Sequence, residues 1–332
     1  MQSAGQFLVQ PSAFLDWFNT PGIVAVAVML FTLFKLRAYY LLRLSPDITP
    51  EKFNIGLGVG SALSIVSTLL LTTTSLMFLE NVVEMTGVGV NPDRAHSAGI
   101  DQNRYPSSVG GIAARGLGTA AAKNKYGQAV IVVSVLLLVI GAGYAFTVLN
   151  LGFWESFLAM SVGVGLTEEL SKAAAGLLVL YMIFDTKSLS EFQFRRVVLA
   201  AFGIAGLGFG AGEALKYFGE YAHEGHGAFV YGLRAVYCVT LHGAWTLIVG
   251  GMLATSLPQD PKLLENKKID TFYMLLLASI PTAIAHGLYN TLCQDSILAL
   301  PWGGLSIFVA CRVIEAFLKE NQEESKPPPL PS

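Results

Sequence analysis

Charge is scarce in this chain. Asp, Glu, Lys and Arg make up 13% of its 332 residues against 53% hydrophobic, and the mean hydropathy is +0.56. In soluble domains about 25% of residues are charged, so the shortage points to a polytopic membrane protein. The charge present balances to a formal net of -2 with no run of Lys or Arg. That leaves no basic surface to follow phosphates, and nucleic acid is excluded as a partner. Cysteine is also rare. Cys238, Cys293 and Cys311 lie in apolar segments without CxxC or CxxxxC spacing, which predicts small packing residues rather than ligands or disulfides. The N-terminal stretch MQSAGQFLVQPSAFLDWF lacks a basic region followed by an apolar run and a small-residue cleavage site. No removable signal peptide is therefore expected, and the first membrane segment should direct insertion.

Several signatures of membrane hydrolases are missing as well. There is no HExxH for a zinc protease of the site-2 type and no GxSxG for a serine nucleophile. An aspartyl pair is excluded because Asp185, Asp270 and Asp295 fall at or near segment ends. The glycines at 206, 208, 210 and 212 superficially suggest a nucleotide fingerprint, but no strand precedes them. They form two interleaved pairs, Gly206 with Gly210 and Gly208 with Gly212, a spacing that permits close helix packing in a membrane.

What the chain does contain is long apolar runs. A helix needs about 20 apolar residues to cross the hydrocarbon, and eight segments approach that length: 22–43, 54–79, 129–149, 156–184, 197–218, 229–257, 271–297 and 298–318. Lys35 and Arg37 interrupt the first, and Pro301 breaks the last two, so seven or nine spans are also compatible. The expected fold is an all-α polytopic bundle of about eight membrane helices. Residues 1–127 would hold the first spans and a polar, Gly-rich loop at 80–127, residues 128–318 a catalytic bundle, and residues 319–332 a disordered tail ending in PPPLPS. With eight spans, the loop at 80–127, the loops carrying Lys187, Arg195, Arg196, Lys262, Lys267 and Lys268, and the tail share one side. The positive-inside rule assigns that side to the cytoplasm; Lys35, Arg37, Arg43 and Lys52 run against it.

Within the apolar segments stands a set of ionisable residues. Glu168, Glu169 and Lys172 occupy one, Glu213 the next, His242 the third, and His286 with Asn290 the fourth. One ionised side chain at the bilayer centre costs from about 2.5 to more than 10 kcal/mol, and such groups normally face a bundle interior or an aqueous cavity. A lone Glu could simply pin helix packing and a lone His could be a hydrogen-bonded core residue, but four successive segments each carrying such groups are most economically read as one site. Lys172 is i+4 from Glu168 and i+3 from Glu169, within reach of both. It can hold one acid ionised while the other faces a reaction centre. His286 and Asn290 share a helix face and could address one bound carbonyl. Arg312 with Glu315, and Arg234, lie near helix ends where snorkelling suffices; His223 and His226 read as solvated loop residues. Carboxylate plus imidazole can activate water in two ways: by holding Zn²⁺ with an open fourth position, or without metal, with Glu as base and His and Asn stabilising an oxyanion.

The ordered set EExxK at 168–172, Glu213 in a Gly-rich helix, His242, and HxxxN at 286–290 resembles the PrsW family of intramembrane proteases. It is also similar to the wider group of CAAX prenyl proteases and bacteriocin-processing proteins. The resemblance covers about residues 155–297, with one departure: Ala214 follows Glu213 where the pattern has Asn. It implies an endopeptidase cutting a membrane-anchored protein, an anti-sigma factor in PrsW-like members, in a bacterial cytoplasmic membrane. By carry-over, Glu168 is the water-activating base and Glu169 the partner of Lys172. Glu213, His242 and His286 form a metal or electrostatic core, with Zn²⁺ as the candidate ion, and Asn290 is an oxyanion donor. Two rival functions use the same residues. A proton- or ion-coupled transporter would employ them as a relay, although no inverted repeat is visible; a non-catalytic scaffold would keep them for folding. Glu213 is expected about five residues from the outer end of its helix, so the site should open outward.

Overall fold

The computed structural model describes residues 48–86, 125–147, 152–223, 228–265, 267–295 and 299–324, with a few isolated positions besides. The expected first span at 22–43, most of the 80–127 loop, His226 and the tail beyond 324 lie outside the described residues, as do the side chains of His223 and Arg234. Among the described residues there are helices and no strands. They are α1 Pro50–Thr86, α2 Lys125–Thr147, α3 Phe153–Ala159, α4 Leu166–Ile183, α5 Glu191–His223, α6 Ala228–Leu253, the short α7 Pro261–Glu265, α8 Lys268–Asp295 and α9 Ala299–Glu324.

Six of these, α1, α2, α5, α6, α8 and α9, are long and apolar enough to cross a membrane. The run expected as one span at 156–184 is helical without a break from Phe153 to Ile183, made of α3, a π-helical turn at Met160–Gly165, and α4. Pro301 falls in the first turn of α9, where its missing N–H costs nothing, so the last two segments are separate helices. Outward-facing Leu69, Leu70, Met77, Leu277 and Phe308 are exposed, as lipid contact requires. Arg312 and Glu315 form an exposed ion pair at 2.5 Å.

At the centre stands α5, whose apolar window is 83% buried, against 17% for α1 and 22% for α2 and α9. Its glycines make that position possible. A Cβ on Gly206 would collide with the His242 carbonyl, and one on Gly210 would come 2.7 Å from the Val239 Cα, both on α6. Gly208 and Gly212 face α1 instead, against Leu57, Ser61 and Ile65. Each glycine pair thus serves a different neighbour. In the hydrocarbon every polar group needs an internal partner, and the hydroxyls of Ser64, Thr167, Thr246, Ser279 and Thr291 find theirs on carbonyls four residues back.

One end of the bundle is tied together by polar links. Tyr181 Oη donates to the Pro258 carbonyl and Thr186 Oγ1 to that of Gln259, each at 2.6 Å, while Lys187 meets Asp260 at 3.1 Å. The connections after α4 and α6 therefore share an end. Glu213 lies ten residues before the opposite end of α5, at His223, rather than about five, because α5 runs beyond the expected residue 218. His286 is nine residues from the same end of α8, at Asp295.

Candidate active site

The π turn precedes the acidic pair directly. Its extra residue per turn rotates the helix that continues from it, a device common at functional sites, and small residues seat it closely: Ser161 abuts Gly287, and Gly165 abuts Ala283, both on α8. This close approach brings the first turn of α4, with Glu168 and Glu169, beside His286.

Six side chains from α4, α5, α6 and α8 then form one continuous chain of contacts. Glu213 Oε2 lies 2.6 Å from His242 Nε2, and His242 Nδ1 lies 2.6 Å from Lys172 Nζ. Lys172 Nζ donates to Glu169 Oε1 at 2.5 Å, and the same oxygen faces His286 Nδ1 at 2.9 Å. The last link, His286 Nε2 to Glu168 Oε2, is 3.7 Å. The partners define the imidazole protons. Because the Lys172 ammonium can only donate, His242 Nδ1 accepts and its Nε2–H donates to Glu213. Because Glu169 can only accept, His286 donates through Nδ1–H and turns the lone pair of Nε2 toward Glu168.

Burial makes these pairings obligatory. Glu169 and Lys172 are 0% exposed; a buried ion pair is stabilising only relative to either partner left alone. Aromatic rings close the other sides. Lys172 Nζ lies 5.0 Å from the Phe209 ring centre and 5.8 Å from that of Trp245, within cation–π range. Trp245 stacks on His286 at 4.6 Å and meets His242 edge-on at 5.7 Å.

All of the ionisable residues singled out from the sequence, Glu168, Glu169, Lys172, Glu213, His242 and His286, fall within this cluster. Asn290 is half-buried one turn beyond His286, and among the described residues no hydrogen bond joins it to the cluster. Sequence reasoning missed Cys238, expected to be a packing residue, whose Sγ–H donates to Glu213 Oε2 at 2.9 Å. The signal was available, since Cys238 precedes His242 by four residues on the same face of α6. Trp245 and Phe209 were missed too, being indistinguishable from core aromatics by sequence.

The donor set fits a divalent metal. Ligand atoms of Glu168, His242 and His286 lie within 4.8 Å of one another, and so do those of Glu213, Cys238 and His242. Glu168 Oε2 and Glu169 Oε2 are both buried without a hydrogen-bond partner, and of the two carboxylates only Glu168 belongs to a group of potential ligands. Carboxylate, imidazole and thiol are the donors zinc takes.

A helical membrane bundle with such a cluster at its core has the make-up of an intramembrane hydrolase. The profile described as PrsW family intramembrane metalloprotease matches residues 113–319, more than half of the chain, and the chain belongs to that family. It is a membrane-embedded protease, acting on a membrane-embedded protein substrate in a lipid environment. No curated protein and no solved structure matches the chain.

Proposed function

We propose that this protease hydrolyses a peptide bond of a membrane-anchored protein with a water activated by Glu168. The observation that carries this reading is Glu168 Oε2, buried, without a hydrogen-bond partner and 3.7 Å from the lone-pair nitrogen of His286. As base, Glu168 takes the proton of the attacking water. The water oxygen bonds to the scissile carbonyl carbon, the C–N bond breaks, and Glu168 passes the proton to the leaving amine. Asn290, free of the cluster and one turn from His286, donates its amide N–H to the developing oxyanion. Glu169 and Lys172 stay out of the reaction and fix the two imidazoles from behind, the part carboxylates commonly play toward ligating histidines. When a divalent metal is bound, His242, His286 and Glu213 would hold it, and it would supply Lewis acidity that polarises the carbonyl and brings the pKa of water to about 7.

We further infer that the site opens to the extracytoplasmic side of a bacterial cytoplasmic membrane, on an anti-sigma-factor-like substrate. The tied end of the bundle carries Lys187, Arg195, Arg196, Lys262, Lys267 and Lys268, which the positive-inside rule assigns to the cytoplasm. Glu213 and His286 sit nearer the other end. The test is co-expression with single-span membrane proteins. Glu168→Ala, Glu213→Ala, His242→Ala and His286→Ala should each abolish cleavage while the thermal melt stays cooperative; folded variants that still process substrate would refute the assignment.

A further inference from the structure

Cys238 is bound into the site in a way that packing alone does not require. Its side chain is 9% exposed, and its thiol donates to the Glu213 oxygen that also receives His242 Nε2–H. The backbone of α5 presses on this turn of α6, with a Cβ on Gly210 falling 3.2 Å from the Cys238 carbonyl, so sulfur, carboxylate and imidazole keep their positions relative to one another. Their ligand atoms lie within 4.8 Å of one another. Cys293 is exposed and Cys311 half-buried, and neither belongs to a group of potential ligands among the described residues.

We propose that Cys238 is a metal ligand of this protease, giving the Glu213 and His242 limb of the site a thiolate subsite for a thiophilic divalent cation of the zinc class. The inference rests on the metal-binding part of the function proposed above. A sulfur donor beside imidazole and carboxylate selects borderline-soft ions over hard ones such as Mg²⁺ or Ca²⁺. His242 belongs to both groups of potential ligands, so it is the pivot between Cys238 and Glu213 on one side and Glu168 and His286 on the other. Ligation forms an S–metal bond as the thiol proton leaves to solvent, and a bond to His242 Nε2 as the proton it shares with Glu213 leaves likewise, Nδ1 then taking a proton from Lys172 Nζ.

X-ray absorption at the zinc edge, on full-length protein purified in detergent and loaded with zinc, tests this. Zn–S bonds of about 2.3 Å separate cleanly from Zn–N and Zn–O bonds of about 2.0–2.2 Å. Wild type and the Cys293→Ser/Cys311→Ser variant should both show one sulfur scatterer. Cys238→Ser should lose it, with zinc affinity falling at least about 10-fold. Zinc bound through nitrogen and oxygen alone in wild type, or a sulfur shell that persists in Cys238→Ser, overturns the proposal and leaves the metalloprotease reading intact. Wild type that retains no zinc overturns it too and removes the metal from the mechanism; cleavage of a co-expressed substrate then reports independently on proteolysis. Should Cys238→Ser fail to fold, the wild-type spectrum and that of the double variant decide alone.

Discussion

His286 Nε2 faces Glu168 Oε2 across 3.7 Å, the only link in the six-residue chain that is longer than a hydrogen bond. Every other member of the chain is engaged on at least one side by a hydrogen-bonded partner, so Glu168 is the member left open.

The two carboxylates that flank the histidines should separate by role. Glu168→Gln is expected to lower the cleavage rate by about 10²–10⁴-fold, the usual contribution of a general base, with zinc stoichiometry retained. Glu213→Gln should lose bound zinc. Metal analysis of the purified variants checks this, and the reverse outcome would make Glu168 the ligand and Glu213 the base.

Lys172 is held between Glu169 Oε1 and His242 Nδ1. Lys172→Met leaves Glu169 charged in the core without its cation, with only the His286 N–H still donating to it, and should destabilise the fold by about 3–5 kcal/mol. The double variant Glu169→Gln/Lys172→Met should recover part of that loss, giving a coupling energy in a thermal-melt cycle. Additive losses would mean that the pair does not interact.

Glycine tolerance should differ sharply with position. Gly206→Ala drives a methyl into the His242 carbonyl and should cost about 1–3 kcal/mol together with activity, since α6 must move. Gly58→Ala, with no atom within 4 Å of the added methyl, should be neutral or stabilise α1 by up to about 1 kcal/mol. Melting temperatures and cleavage rates of the two variants check the contrast.

Trp245 offers a test of packing against the imidazoles. Trp245→Ala should cost about 3–5 kcal/mol and release His286 from its stacked position. Trp245→Phe keeps a ring there and gives up no hydrogen bond, because the buried Nε1 has no partner; most activity should remain, as kinetics on both variants would show.

Which residues gather was legible because ionisable groups in apolar runs cannot be accidental in lipid, and the same cost argument gave the helical membrane bundle. Small-residue spacing on α5 likewise announced close packing, and Gly206 with Gly210 and Gly208 with Gly212 meet α6 and α1 respectively. Partner choice was not legible. That His286 turns Nδ1 to Glu169 rather than to Glu168 depends on the rotation of α8 against α4, set where Gly287 meets Ser161 after a π turn that no periodicity reveals. Cys238 escaped because a thiol in an apolar helix carries no penalty and so raises no question. The depth of Glu213 was misjudged because the polar end of α5 continues as helix to His223, where hydropathy alone ends the span.

The central claim is that Glu168 activates water for peptide hydrolysis. The most direct measurement is cleavage of a purified single-span membrane protein by the reconstituted protease in H₂¹⁸O, with mass spectrometry of the N-terminal product. One ¹⁸O is predicted in the new carboxylate for the wild type, and Glu168→Gln should form product at least about 10²-fold more slowly. Product without ¹⁸O, or an unchanged rate in folded Glu168→Gln, would contradict the account.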